Sequence, residues 1–159
     1  MSNPTYAQIA PFLLEHFPEF KETGDYKRYD ENDLKLPYIV WADFIRYLLQ
    51  RLQKNGPADS VVQRLFAFLN EQFNDPASDP EVINLLAVEV FESFTQKKEN
   101  LDFARKYTTS QARHQLELIL GYTGVERPDL SIAPGAQQIM DNIRKYKESK
   151  RTKKDTTKW

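Results

Sequence analysis

A chain of 159 residues that is 40% hydrophobic and 13% aromatic, with only 5 glycines, is long enough for one domain with a sizeable core and too apolar for a disordered polymer. It has no cysteine, which excludes disulfides and thiolate chemistry, and no apolar run approaches the roughly 20 residues of a membrane span. The net charge of −1 divides unevenly, because residues 144–159 hold eight Lys/Arg against Glu148 and Asp155, a net +6 that leaves −7 on residues 1–143. With Met1-Ser2-Asn3-Pro4-Thr5 lacking the basic and apolar blocks of a signal peptide, the chain reads as cytoplasmic.

In chain order, Tyr6, Ile9, Ala10, Leu13 and Phe17 recur at helical spacing, with Pro11 predicting a kink or a late start. From Pro18 to Leu36 the composition turns polar and no period is sustained, so a long loop with at most a short turn or strand is expected there. Pro37 suits a first helical turn, and Ile39, Trp41, Phe44, Ile45, Leu48, Leu49 and Leu52 continue the helix to a stop at Asn55-Gly56-Pro57. A third helix runs from about Asp59, through Val62, Leu65, Phe66, Leu69 and Phe73, to Asn74-Asp75-Pro76.

The stretch Ser78–Phe94 is apolar on most sides and must be covered by neighbours, which makes it the central helix, at about residues 79–95. Ser78 and Glu81 have the spacing of a capping box, and Glu81, Asn84, Glu89 and Glu92 mark its polar strip. A short helix with Leu101, Phe103, Ala104 and Tyr107 follows. Thr108 or Thr109 then caps another, which carries Ala112, Leu116, Ile119 and Leu120 and is ended by Gly121 and Gly124. No stretch alternates like a half-buried strand. The expected fold is an all-α, single-domain bundle of six or seven helices over residues 1–124. A linker at 125–135, an amphipathic basic helix at 136–148 docked on the bundle, and a flexible basic tail at 149–159 complete the map.

Catalytic signatures are missing from this pattern. His16 and His114 are the only histidines, neither lies in a Glu-x-x-His pair, and there is no phosphate loop, dinucleotide fingerprint or nucleophile elbow. The chain is therefore read as a non-enzyme, with no catalytic residue, cofactor or metal. Glu89 and Glu92 stand at i and i+3, and their plain reading is a solvated strip on an otherwise buried helix. Tyr26 and Tyr29 are different, because they lie in polar sequence beside Asp30, Glu31 and Asp33. Tyrosines next to carboxylates suit an interface in which rings supply buried area and acids steer a basic protein partner, although packing of the loop itself accounts for them equally well. The partner-binding set is Tyr26, Tyr29, Asp30, Glu31, Asp33, Glu89 and Glu92. The alternative is a nucleic-acid-associated protein acting through the basic segment at 144–159.

The run Leu86–Phe94, preceded by Asn74-Asp75-Pro76 and Asp79-Pro80-Glu81-Val82 and followed by Leu116-Glu117-Leu118-Ile119-Leu120, resembles small all-helical bacterial proteins found as immunity proteins of polymorphic toxin systems and their relatives. The resemblance spans roughly residues 36–122. It implies stoichiometric binding of a cognate toxin with no chemistry by this chain. Nuclease toxins tend to be basic, and an acidic body would then assist association.

Overall fold

The computed structural model describes residues 3–123, 144–146 and 148, and among these every regular element is helical. The chain forms α1 (Ile9–His16), a 3₁₀ turn (Pro18–Glu22), the single-turn α2 (Gly24–Lys27), a second 3₁₀ turn (Asp33–Lys35), α3 (Pro37–Asn55) and α4 (Ser60–Asn74). Then come α5 (Pro80–Leu86), a π turn (Ala87–Phe91), α6 (Glu92–Phe94), α7 (Lys98–Tyr107) and α8 (Ser110–Thr123). With α5, the π turn and α6 taken as one rod, six helices among the described residues exceed a single turn, and the all-α bundle expected from the sequence is present. The linker at 125–135, most of the helix at 136–148 and the tail at 149–159 lie outside the described residues.

The helix boundaries follow from local chemistry. Pro11 sits in the first turn of α1, where a missing amide costs nothing because that turn has no intrahelical acceptor. Asp59 caps α4, its carboxylate accepting from the N–H groups of Val61 (2.9 Å) and Val62 (3.1 Å). At the start of α5 the cap is Asp79, which accepts from Glu81 N–H at 2.9 Å. Ser78 is not the cap: its hydroxyl donates to the Gln72 carbonyl at 2.6 Å, closing the α4–α5 turn. The amides opening α8 are met by α4, with Asn70 accepting from Thr109 N–H (3.0 Å) and Asn74 from Gln111 N–H (2.8 Å). α8 also runs through Gly121 to Thr123.

The rod of α5, π turn and α6 is the centre of the bundle. Its π turn packs against α3 on one side and α8 on the other, α4 lies against α8 and α5, and α1 packs on α3. Val82, Leu85, Leu86, Val90, Phe91 and Phe94 on this rod are fully buried. Phe73 of α4 stacks on Phe91 at 4.8 Å between ring centroids, and Phe66 meets Phe94 edge-on at 5.2 Å. Burying rings of this size supplies most of the driving force, at about 25 cal/mol per Å² of apolar surface. Trp41 is fully buried as well, with its indole N–H satisfied by the Ile9 carbonyl at 3.3 Å.

Two expectations about this architecture are corrected. The segment 18–36 is not an open loop, because Pro18 and Asp33 lie in 3₁₀ turns and Thr23 caps α2 by accepting from Tyr26 N–H at 3.2 Å. These pieces are too short to show a hydrophobic period. Nor is Glu89 on a solvated strip: it lies inside the π turn and is only 7% exposed.

Candidate functional site

The sequence-derived site residues fall in two places. Tyr26, Tyr29, Asp30, Glu31 and Asp33 lie together on α2 and the turns before α3, whereas Glu89 and Glu92 belong to the central rod.

The first place is built on Phe20, whose buried ring lies 6.3 Å from both Tyr26 and Tyr29, 5.6 Å from Phe44 and 5.8 Å from Tyr47. Tyr26 and Tyr29 meet edge-on at 6.0 Å, and both are half-buried. The Tyr29 hydroxyl donates to Asp43 of α3, and Arg46 binds the other oxygen of the same carboxylate. Burial raises the Tyr29 pKa first, the bond to Asp43 adds to it, and the nearby charges of Asp43, Asp25 and Asp33 add further, so the phenol stays protonated as a donor.

Beyond Tyr29 the chain closes a reciprocal lock. Asp30 N–H donates to the Asp33 carboxylate at 3.0 Å, and Asp33 N–H donates to the Asp30 carboxylate at 2.9 Å. Each acid spends one oxygen on its neighbour's backbone, an Asx-type turn in both directions. Between them Glu31 is exposed at the tip. The result is a turn fixed through its backbone that carries an exposed carboxylate at its tip. Lys27, Arg28, Lys35 and Arg46 are also exposed on these elements and on α3, and Arg28 pairs with Asp25 at 2.5 Å.

The second place is the π turn. A π turn takes one residue more per turn than an α-helix and recurs at functional sites. Here it brings Glu89 inward, into the neighbourhood of Tyr146 from the basic segment. Tyr146 is half-buried, and its ring meets Tyr38 of α3 edge-on at 5.9 Å and 90°. Burial raises the Tyr146 pKa, with Glu89, Tyr6 and Tyr38 adding to it in that order. Burial also raises Tyr38, and raises Tyr6 ahead of the charge of Glu81. Glu92, one turn beyond Glu89, is half-buried.

Tyr47 joins the aromatic group around Phe20, whereas Trp41 is core and Tyr38 faces Tyr146. Asp43 and the grouping of Tyr6, Tyr38 and Tyr146 were missed, and no local spacing marks them because their contacts join distant parts of the chain.

Among the described residues, no group of three or more His, Cys, Asp and Glu side chains is placed to hold a metal ion, and no helix is long and apolar enough to cross a membrane. His16 lies flat on Phe12 at 3.9 Å with its Nδ1 at the Phe12 carbonyl. A groove of about 940 Å³ between α3 and the α6–α7 turn has Leu49, Leu52 and Phe103 in its wall and the amides of Gln50, Gln53, Gln96 and Asn100 along it.

Fold and surface together define a small all-α bundle domain with a rigid aromatic–acidic corner. Residues 10–118 match the family described as a domain of unknown function, DUF7674, and the chain belongs to that family. No curated protein and no solved structure matches it.

Proposed function

We propose that this protein is a non-catalytic binding module for a basic protein partner, and that the partner is a bacterial toxin held inactive by stoichiometric binding. The observation carrying the reading is the corner itself: Glu31 stands exposed at the tip of a turn locked by Asp30 and Asp33, directly after the paired rings of Tyr26 and Tyr29 in the chain. A surface fixed before contact loses little conformational entropy on binding, and an acidic tip on a body of net charge −7 draws in a positive partner from a distance. Half-buried tyrosines whose edges reach the surface are the side chains that anchor such interfaces. The toxin identity rests on the likeness of residues 36–122 to immunity proteins. Glu89, being buried, is withdrawn from the contact surface, and the binding set becomes the corner together with the half-buried Glu92.

Capture with the tagged, full-length chain from its native cells tests the reading. One basic protein retained at equal stoichiometry, toxic when expressed alone and harmless when expressed with this chain, is the expected result. An eluate containing nucleic acid released by salt, with no protein at equal stoichiometry, would overturn it in favour of the basic segment at 144–159.

A further inference from the structure

Tyr38 meets the ring of Tyr146 edge-on at 5.9 Å, and Tyr6 and Glu89, from two other parts of the chain, lie near enough to act on it electrostatically. The residues beside that ring differ from it in surroundings, because Arg144 and Lys145 are exposed on the same helical turn while Tyr146 is half-buried. Tyr146 therefore enters the body as a single aromatic anchor next to two exposed cations. The seat has a matching character. Tyr38 offers a ring edge-on to the incoming ring, and Glu89, buried in the π turn, acts on the same phenol through its charge. Charge acts in the same sense over a longer range, since residues 144–159 are net +6 and residues 1–143 net −7. Between exposed groups that attraction is screened within about 10 Å at 0.1 M salt, so it weakens as salt rises.

We propose that the Tyr6–Tyr38–Glu89 seat is a docking site for a short basic helix bearing one tyrosine, and that its occupant is the chain's own turn at residues 144–146. The inference stands apart from the toxin reading, because it concerns another part of the surface and needs no foreign partner. One anchoring ring preceded by two exposed cations makes a contact that opens and closes while the bundle stays folded. The same chemistry lets the seat take an equivalent turn supplied from outside the chain, at the expense of its own.

The absence of cysteine makes this measurable in the full chain. Lys145→Cys, labelled with a fluorophore, reports the motion of the turn through its anisotropy. The expected results are a fall in anisotropy when Tyr146→Ala is added, a similar fall when salt is raised from 50 mM to 500 mM, and a smaller one with Glu89→Gln. An acetylated peptide of residues 141–151 should also lower the anisotropy of the labelled chain, and the same peptide carrying Tyr146→Ala should not. Circular dichroism melts confirm that each variant remains folded, and Tyr146→Ala, at the edge of the bundle, should retain the helical signal. Anisotropy unchanged by Tyr146→Ala and by the peptide would overturn the proposal. A value that falls on dilution of the labelled chain with Tyr146 intact would overturn the assignment of the occupant, by showing that the turn comes from a second copy.

Discussion

The Tyr29 hydroxyl and the Asp43 carboxylate are joined by a hydrogen bond of 2.5 Å that ties the segment before α3 to the middle of that helix. A phenol bonded to a half-buried carboxylate is one of the stronger neutral-to-charged contacts available to a side chain. Tyr29→Phe removes the donor and keeps the ring on Phe20. The expected cost is about 1.5–3 kcal/mol, the usual range for a hydrogen bond to a charged group. Amide exchange across residues 24–35 should rise more than exchange in α4 or α8, which amide-resolved hydrogen exchange would show.

Asp59 carries the pH dependence that the structure makes most specific. Burial pushes its carboxyl up, but Arg51, the amide of Asn55 and the Val62 N–H outweigh that and hold it at about 2, against 3.8 for a free carboxyl. A group whose pKa is lower in the folded state contributes its full stability above the unfolded value and loses it as the pH falls through the folded one. The contribution should therefore be complete above about pH 4 and gone near pH 2. Its size is about 1–2 kcal/mol once allowance is made for Arg51, which is 30% exposed to solvent. Asp59→Asn keeps a capping oxygen and should flatten the acid limb of a stability–pH curve. Asp59→Ala should lose the cap as well, for about 1 kcal/mol more.

Gly56 ends α3 at φ 79° and ψ −171°, a region that is essentially closed to residues with a Cβ. A Cβ placed there meets nothing within 4 Å, so the cost of Gly56→Ala comes from the backbone alone. It should lie at about 1–3 kcal/mol, a fall of several degrees in melting temperature for a domain of this size. Gly24, where an added Cβ also meets open space and φ lies outside the left-handed range, is the control: Gly24→Ala should cost much less.

Most of the fold was legible because most of the helices are long and amphipathic. The recurrence of Phe44, Ile45, Leu48 and Leu52, with Gly56 behind them, locates α3 to within a residue, and Asp59 marks the start of α4 in the same way. The signals that failed are those that assume a regular turn or a local contact. Glu89 falls on the polar side of an ideal wheel, but the π turn advances the register by a residue and carries it inward. Ser78 has the spacing of a cap, yet Asp79 beside it competes for the same amides and its carboxylate wins, leaving the serine hydroxyl for Gln72.

The candidate corner was half legible. Tyr26, Tyr29, Asp30, Glu31 and Asp33 were found from composition, but their arrangement depends on Asp43 and Phe20, which no local spacing singles out. The lock between Asp30 and Asp33 also changes which residue to mutate. Both acids hold the turn through backbone amides, so reversing their charge would disturb the loop itself, whereas Glu31 is free to change without that cost.

The central claim is that the acidic tip receives a basic partner, and the most direct measurement is the affinity of the captured partner for the full-length chain and for its Glu31→Lys variant, by titration calorimetry at 50 mM and 150 mM salt. The account predicts an unchanged melting temperature, binding weakened about tenfold at the lower salt, equivalent to about 1.4 kcal/mol, and a smaller difference at the higher salt. Equal affinity of the two proteins at both salts, with the variant fully folded, would contradict it.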